Sequence, residues 1–340
     1  MRPQDTRMFR EAAEAPAAVA RLLAANREAA RALGEDLRAL KPRAVVTCAR
    51  GSSDHAATYA KYLVETGTGV LTSSAALSVS SVYATEPRLE GVLYLAISQS
   101  GKSPDLLSAV EAAKRGGALV VALVNDEASP LAALADRTLP LHASPELSVA
   151  ATKSYIAALA AIAQLVAAWT QDERLEAELD KLPEVLARAW EMDWSPAAAR
   201  LKDAHNLYVL GRGVGYAVAQ EAALKFKETC GLHAEAFSAA EVLHGPMALV
   251  TAGFPVLVFA QADESEASVL EMAKGLEARG ADVLLAGGPP SNVLPTLGAH
   301  PILEPIVRIQ SFYRMANALS LARGHDPDRP PHLNKVTETV

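Results

Sequence analysis

The chain has 340 residues, enough for two domains at roughly 100–200 residues each. Half of it is hydrophobic and 21% is charged, which excludes an intrinsically disordered chain. Thirty-two basic against 39 acidic side chains leave a net charge of −7, which argues against a nucleic-acid binder with a basic face.

The N-terminus, Met1 to Ala13, is charged and lacks the apolar core of a signal peptide. Residues 8–40, rich in Ala, Glu, Leu and Arg, have helical spacing. Gly34 punctuates that run and Pro42 closes it, which predicts two helices (1–40) ahead of the first domain. From Arg43 short apolar runs alternate with helical ones. Ala44 to Cys48 reads as a buried strand, Arg50-Gly51-Ser52-Ser53 as a turn, and Asp54 to Glu65 as a helix. Val92 to Ile97 is a second strand, ending in Ser98-Gln99-Ser100-Gly101-Lys102-Ser103. A helix from Pro104 to Arg115 then leads to the strand Ala118 to Val124. Such alternation predicts a parallel sheet covered on both faces. The stretch Ile156 to Trp169 contains Gln164, is too short to span a bilayer, and reads as a buried core helix. Cys48 and Cys230 cannot build a disulfide framework, and the chain reads as a soluble, cytoplasmic protein with no membrane contact.

The second half repeats the first. A shift of 162 places Val45–Gly51 on Leu207–Gly213 and Gln99 on Gln261. One further residue of shift places Ala118 on Ala281. The chain is therefore read as α/β with two tandem copies of one domain (41–170 and 201–323), a helical linker (171–200) and a C-terminal tail (324–340). The copies differ in chemistry. Ser52, Ser53, Ser98 and Ser100 stand at strand ends of the first, where the second has Val214, Gly215, Ala260 and Ala262. Ser103 alone keeps a hydroxyl counterpart, Ser265.

Between a buried strand and a helix, glycine allows close backbone approach, and the helix start presents unpaired N–H groups. With serine hydroxyls added, Ser98 to Ser103 suits a phosphate dianion. The same serines could be plain turn formers and an N-cap, but Gly51-Ser52-Ser53 on the neighbouring strand favours phosphate. Two nucleotide readings fail. Ala96 stands where a P-loop needs its first glycine, and Tyr216 stands where a dinucleotide turn needs its third. Lys225, Glu228, His233, Glu235, Glu241 and His244 lie within 20 residues. Glu221, Lys225 and Glu228 share one helical face. Carboxylate and imidazole beside a sugar phosphate are equipment for proton transfer between carbons, although a solvated charged helix would look similar. His233 and His244 lack metal-site spacing. The tail, with three prolines and no periodicity, holds Lys335, an amine that could attack a carbonyl from a lid.

These residues together resemble the double sugar-isomerase (SIS) family, which includes the isomerase domain of glucosamine-6-phosphate synthase and stand-alone SIS-type glucosamine-6-phosphate deaminases. The matching stretches are Met8 to Pro16, Arg50 to Ser53, Ser98 to Gly101 and Glu146 to Lys153. Further matches are Ala223 to Glu228, His233 to Ala236, Glu241 to Pro246 and Leu333 to Thr337. The resemblance implies two flavodoxin-like three-layer sandwiches, each a parallel sheet flanked by helices. It implies phosphate contacts from Ser52, Ser53, Ser98, Gln99, Ser100 and Ser103, and backbone contact to the sugar near Val149. It further implies Glu228 as the C1–C2 proton carrier, Lys225 as its support, His244 for ring opening and Lys335 at the carbonyl. Ala151 departs from the family's serine, and Lys102 and Ser103 from its Glu and Thr.

The chain begins almost directly at the family's opening motif, without the cysteine nucleophile of a glutaminase. The expectation is therefore an amino-sugar-phosphate deaminase, acting on glucosamine 6-phosphate without metal or organic cofactor. The resemblance implies a homodimer with a shared site, and no nucleic-acid partner is expected. Alternatives are a deglycase of fructosamine 6-phosphates, an aldose–ketose isomerase, and a non-catalytic sugar-phosphate sensor.

Overall fold

The computed structural model describes residues 1–289 and 294–335. In chain order its elements begin with α1 (Arg7–Ala13) and α2 (Ala15–Leu40). There follow β1 (Ala44–Cys48), α3 (Ser52–Thr68), β2 (Thr72–Ser74), α4 (Ser78–Ser81), β3 (Val92–Ser98) and α5 (Pro104–Arg115). Next come β4 (Leu119–Val124), α6 (Pro130–Leu134), β5 (Arg137–Pro140), α7 (Lys153–Thr170), α8 (Glu173–Trp190) and α9 (Ser195–Leu201). The second half holds β6 (Asn206–Gly211), α10 (Gly215–Cys230), β7 (His233–Ser238), β8 (Pro255–Phe259), α11 (Glu266–Ala278), β9 (Asp282–Ala286) and α12 (Glu304–Ala322).

Two sheets form, ordered β2-β1-β3-β4-β5 and β7-β6-β8-β9, and every pairing is parallel. The expected α/β architecture and its internal repeat are both present. The first sheet has the flavodoxin-like order, and the second reproduces it strand for strand up to β9. Beside β9, where a fifth strand would lie, there is an isolated bridge from Ala286 to Leu294. β3 is buried along its whole length, as a continuous apolar run in a doubly covered parallel sheet should be. Tyr94, Ala96, Val120 and Ala122 meet Leu106 and Val110 of α5 in the first core. Tyr208, Leu210, Val256 and Val258 meet Val269 and Leu276 of α11 in the second.

The chain divides into two compact units that are not contiguous in sequence. One holds residues 1–16, 147–152 and 182–333 with the second sheet. The other holds 17–146, 153–181 and 334–340 with the first sheet.

Two expectations need correction. The N-terminal helices break at Glu14, and α2 runs unbroken through Gly34. A Cβ at Gly34 would lie 2.7 Å from the carbonyl group of Ala168, so this glycine lets α2 approach the end of α7 rather than ending a helix. Arg38, one turn on, donates to the Ala168 and Trp169 carbonyls at 2.5 and 3.1 Å. The apolar helix is also longer than its apolar run: α7 spans 18 residues and is apolar enough to cross a membrane by composition, yet 89% of it is buried within the protein. It is a core helix, as read.

Candidate active site

In the first sheet β1 and β3 are neighbours, with Cys48 opposite Ala96. Their outgoing loops leave the carboxyl edge side by side at the point where the strand order reverses, where such sheets bind ligands. Ser52 and Ser53 begin α3, Ser98 ends β3, and Gln99 and Ser100 follow it in the loop. Ser98 is buried; Ser52, Ser53, Gln99, Ser100 and Ser103 are half-buried. The Ser98 hydroxyl accepts from the Gly101 N–H at 3.0 Å, which leaves its own proton to donate. Gly101 has φ +65°, and a Cβ there would overlap Ser129 Oγ at 2.4 Å. Only glycine fits that turn. Ser103 precedes Pro104 at the start of α5, and its hydroxyl does not cap the helix. Lys102 pairs with Asp126 at 2.9 Å.

A brace crosses between these two loops. The Arg50 guanidinium donates to Asp105 Oδ2 at 3.0 and 2.8 Å, and the Asp105 side chain is fully buried. Arg50 immediately precedes Gly51, and Asp105 lies in the first turn of α5. The pair therefore fixes the spacing of the loops.

The second sheet's equivalent edge is closed by its own side chains. Gln261, at the position equivalent to Gln99, is 1% exposed. Its amide donates to the Arg212 carbonyl at 2.6 Å, to Asp263 at 2.9 Å and to Ser265 Oγ at 3.0 Å. Asp263 and Glu304 add carboxylates there, the latter accepting from Ala262 N at 2.7 Å. The buried carboxylate of Glu304, the half-buried one of Asp263 and an amide whose N–H groups are already engaged within the loop offer little to a phosphate.

The proton-transfer candidates sit on α10. Glu221, Lys225 and Glu228 share one face by their i, i+4 and i, i+3 spacing. Lys225 Nζ lies 3.3 Å from Glu221 Oε1 and is hydrogen-bonded to Glu228 Oε2. Lys225 and Glu221 are fully buried, whereas the Glu228 side chain keeps 20% exposure. From α12, Tyr313 donates its hydroxyl to Glu221 Oε1 at 3.0 Å. Burial alone would push the Lys225 ammonium down, but Glu221 and Glu228 outweigh it and hold it above the ordinary lysine range. Glu228 is thus a carboxylate with one side anchored on a buried cation and the other open.

A raised ammonium pKa stabilises the fold below the unfolded value of about 10.4 and loses that contribution as pH rises through the folded value. Lys225→Met should cost about 3–5 kcal/mol by leaving buried carboxylate charge uncompensated. Denaturant titrations should show the wild type's advantage as flat to about pH 10 and shrinking above it. An advantage unchanged to pH 11 would remove the ion pair as its cause.

The remaining candidates disperse. His233 and Glu235 are exposed on β7. His233 pairs with Asn206 at the amino end of β6, the sheet edge opposite to the one where ligands bind, so the 20-residue polar cluster is not one site. Glu241 and His244 are exposed in a 3₁₀ turn, Glu241–His244, and His244 has no hydrogen-bond or ion-pair partner among the described residues. Val149 is half-buried in the segment 147–152. Glu11 of α1 supports that segment, its carboxylate accepting from the N–H groups of Leu147 at 2.5 Å and Ser148 at 3.0 Å. Lys335 pairs with Glu146 at 3.1 Å. Residues 336–340 of the tail, including Val336 and Thr337 of its motif, lie outside the described residues. Among the described residues no group of three His, Cys, Asp or Glu side chains is placed to hold a metal ion.

Sequence reasoning passed over Asp105, Tyr313 and the roles of Glu11 and Glu146. For Asp105 the available signal was an acid in a helix's first turn, and for Glu11 and Glu146 their place in the matching stretches Met8 to Pro16 and Glu146 to Lys153; Tyr313 is visible only through a partner distant in sequence.

The SIS domain model matches residues 40–168 and 200–300. The chain is 47% identical to a provisionally named phosphosugar isomerase from Silicibacter pomeroyi DSS-3, with a TM-score of 0.91 over 95% of this chain and 100% of that one. It is 26% identical to the C-terminal domain of glucosamine-fructose-6-phosphate aminotransferase from Francisella tularensis, with a TM-score of 0.85 over 95% and 98% of the two chains. The isomerizing glutamine–fructose-6-phosphate aminotransferase of Thermococcus kodakarensis is 34% identical over 353 aligned positions, covering 96% of this chain and 57% of that protein. The chain spans about half the length of the curated relatives it matches.

Proposed function

Because the chain belongs to the SIS-domain family, as a phosphosugar isomerase related to the isomerase part of glutamine–fructose-6-phosphate aminotransferase, we propose that it is an amino-sugar-phosphate deaminase. Its substrate is glucosamine 6-phosphate, and its products are fructose 6-phosphate and ammonia. The serine loops at Ser52–Ser53 and Ser98–Ser103 take the phosphate. His244 opens the pyranose ring by moving a proton to the ring oxygen. Glu228 removes the proton from C2, and C1 is then protonated, which leaves an imine at C2. Water adds to that imine and ammonia departs, so the sum is one water consumed and one ammonia released.

The observation that carries this reading is the Lys225–Glu228 pair. A carboxylate that is partly open and anchored on a buried ammonium is held in position to take a carbon-bound proton. The test is ammonia release from glucosamine, galactosamine and N-acetylglucosamine 6-phosphates and from fructosamine 6-phosphates. Release from glucosamine 6-phosphate supports the proposal. Release of the adduct's amine from fructosamine 6-phosphates alone makes the protein a deglycase. Sugar interconversion without ammonia makes it a plain isomerase, and binding without turnover makes it a sensor.

The proposal includes a homodimer in which His244 crosses from one protomer to the other; Leu243 and Leu249 beside it are 63% and 64% exposed. Mixing a Glu228→Gln protein with a His244→Ala protein should then restore part of the activity. Absence of recovery, with subunit exchange confirmed by mass, would place both groups in one chain's site.

A further inference from the structure

We propose that Glu146 is the positioning residue for Lys335: it docks the tail and holds the proton that the lysine must shed before it can act. The inference rests on the reading of Lys335 as the amine that meets the open-chain carbonyl. Glu146 lies just ahead of α7 and its side chain has no solvent exposure. Its carboxylate accepts from Ser154 N at 3.1 Å and from Ser154 Oγ at 2.6 Å, so it is fixed by the first turn of a helix whose dipole favours negative charge there. Its Oε2 also meets Lys335 Nζ at 3.1 Å.

Lys335 itself is on a segment without helix or strand, in the unit that carries the serine loops. Residues 324–335 form no helix or strand, so no backbone ladder sets where Lys335 points. A buried carboxylate supplies that fixed point, and it does so at one atom, the ammonium nitrogen. The Lys335 side chain keeps 24% exposure, which leaves a face for a ligand.

The chemistry needs an acceptor at this place. An ammonium has no lone pair and cannot attack a carbonyl. Transfer of one proton from Nζ to Glu146 frees the amine. Nitrogen then bonds to the carbonyl carbon and passes two protons to the carbonyl oxygen, one of its own and one that Glu146 returns to nitrogen, and that oxygen leaves as water. The product is a protonated imine, and no charge or proton is gained or lost overall. Glu146 therefore acts through Lys335 and touches no substrate atom.

The test is borohydride trapping with fructose 6-phosphate, in which hydride reduces the imine to a secondary amine that adds sugar mass to the peptide containing Lys335. The wild type should be labelled there, and Lys335→Ala should not. Glu146→Gln keeps the side-chain shape and an oxygen for Ser154. It should lower the trapping rate and kcat by roughly 10²-fold with KM for the sugar phosphate little changed; a packing role would move the melting temperature and not this split. Should Glu146→Gln fold poorly, Ser154→Ala loosens the same carboxylate and should act in the same direction. Labelling of Lys335 at the wild-type rate in both variants overturns the inference and leaves the role of Lys335 standing. No labelling of the wild type, with full turnover in Lys335→Ala, overturns that role and the inference with it.

Discussion

Glu228→Gln abolishes exchange of the substrate's C2 proton with solvent and lowers turnover by about 10²–10⁴-fold, the usual cost of losing a general base. The amide has the shape of the carboxylate and can still accept from Lys225 Nζ. Glu221, fully buried and 3.3 Å from the same ammonium, still supplies a counter-charge, so the buried cation is not stranded. Tyr313 continues to donate to Glu221. The fold and the affinity for sugar phosphate should therefore survive while the proton transfer fails. Deuterium incorporation at C2, followed by NMR in heavy water, reads the step directly. Exchange persisting at the wild-type rate would show that another group is the base.

Ser98→Ala combined with Ser100→Ala weakens binding of the sugar phosphate by about 3–6 kcal/mol, at roughly 1.5–3 kcal/mol for each hydrogen bond to a charged group. Ser98 carries a double load, because its oxygen also accepts from the Gly101 N–H. Its loss loosens the turn as well as removing a donor. The control is Ser265→Ala at the second copy's edge. Its hydroxyl donates to Asp263 at 2.6 Å and accepts from the Gln261 amide, so it serves that loop's own network and its loss should leave phosphate affinity unchanged. Calorimetric titration of all three proteins with fructose 6-phosphate decides the matter. An unaffected Ser98/Ser100 variant beside a weakened Ser265 variant would move the phosphate to the second copy.

Much of the fold was legible in the sequence because it is written locally. A buried parallel strand is a short apolar run, a helix is a 3.6-residue period, and a duplicated domain leaves a constant offset. Hence Val45 on Leu207 found β1 and β6, and Gln99 on Gln261 found the ends of β3 and β8. The face shared by Glu221, Lys225 and Glu228 was readable for the same reason, since helical spacing alone brings them together. Where local signals misled, a neighbour outside the window was responsible. Gly34 looked like a helix end, and the reason for a glycine there is the backbone of Ala168. The nearness of His233 to His244 in sequence suggested one cluster, and the direction of β7 carries His233 to the far edge of the sheet.

By itself, then, the sequence determined the two α/β copies, the strand ends at which ligands can bind and the chemical inequality of those ends. Tertiary structure decided which charges meet. Arg50 finds Asp105 55 positions away, Glu221 finds Tyr313 92 positions away, and Glu146 finds Lys335 189 positions away. Periodicity carries no information over such separations. These pairs exist because burial makes an unpartnered charge or hydroxyl costly, and which partner comes within about 3 Å is settled by how the helices and loops pack.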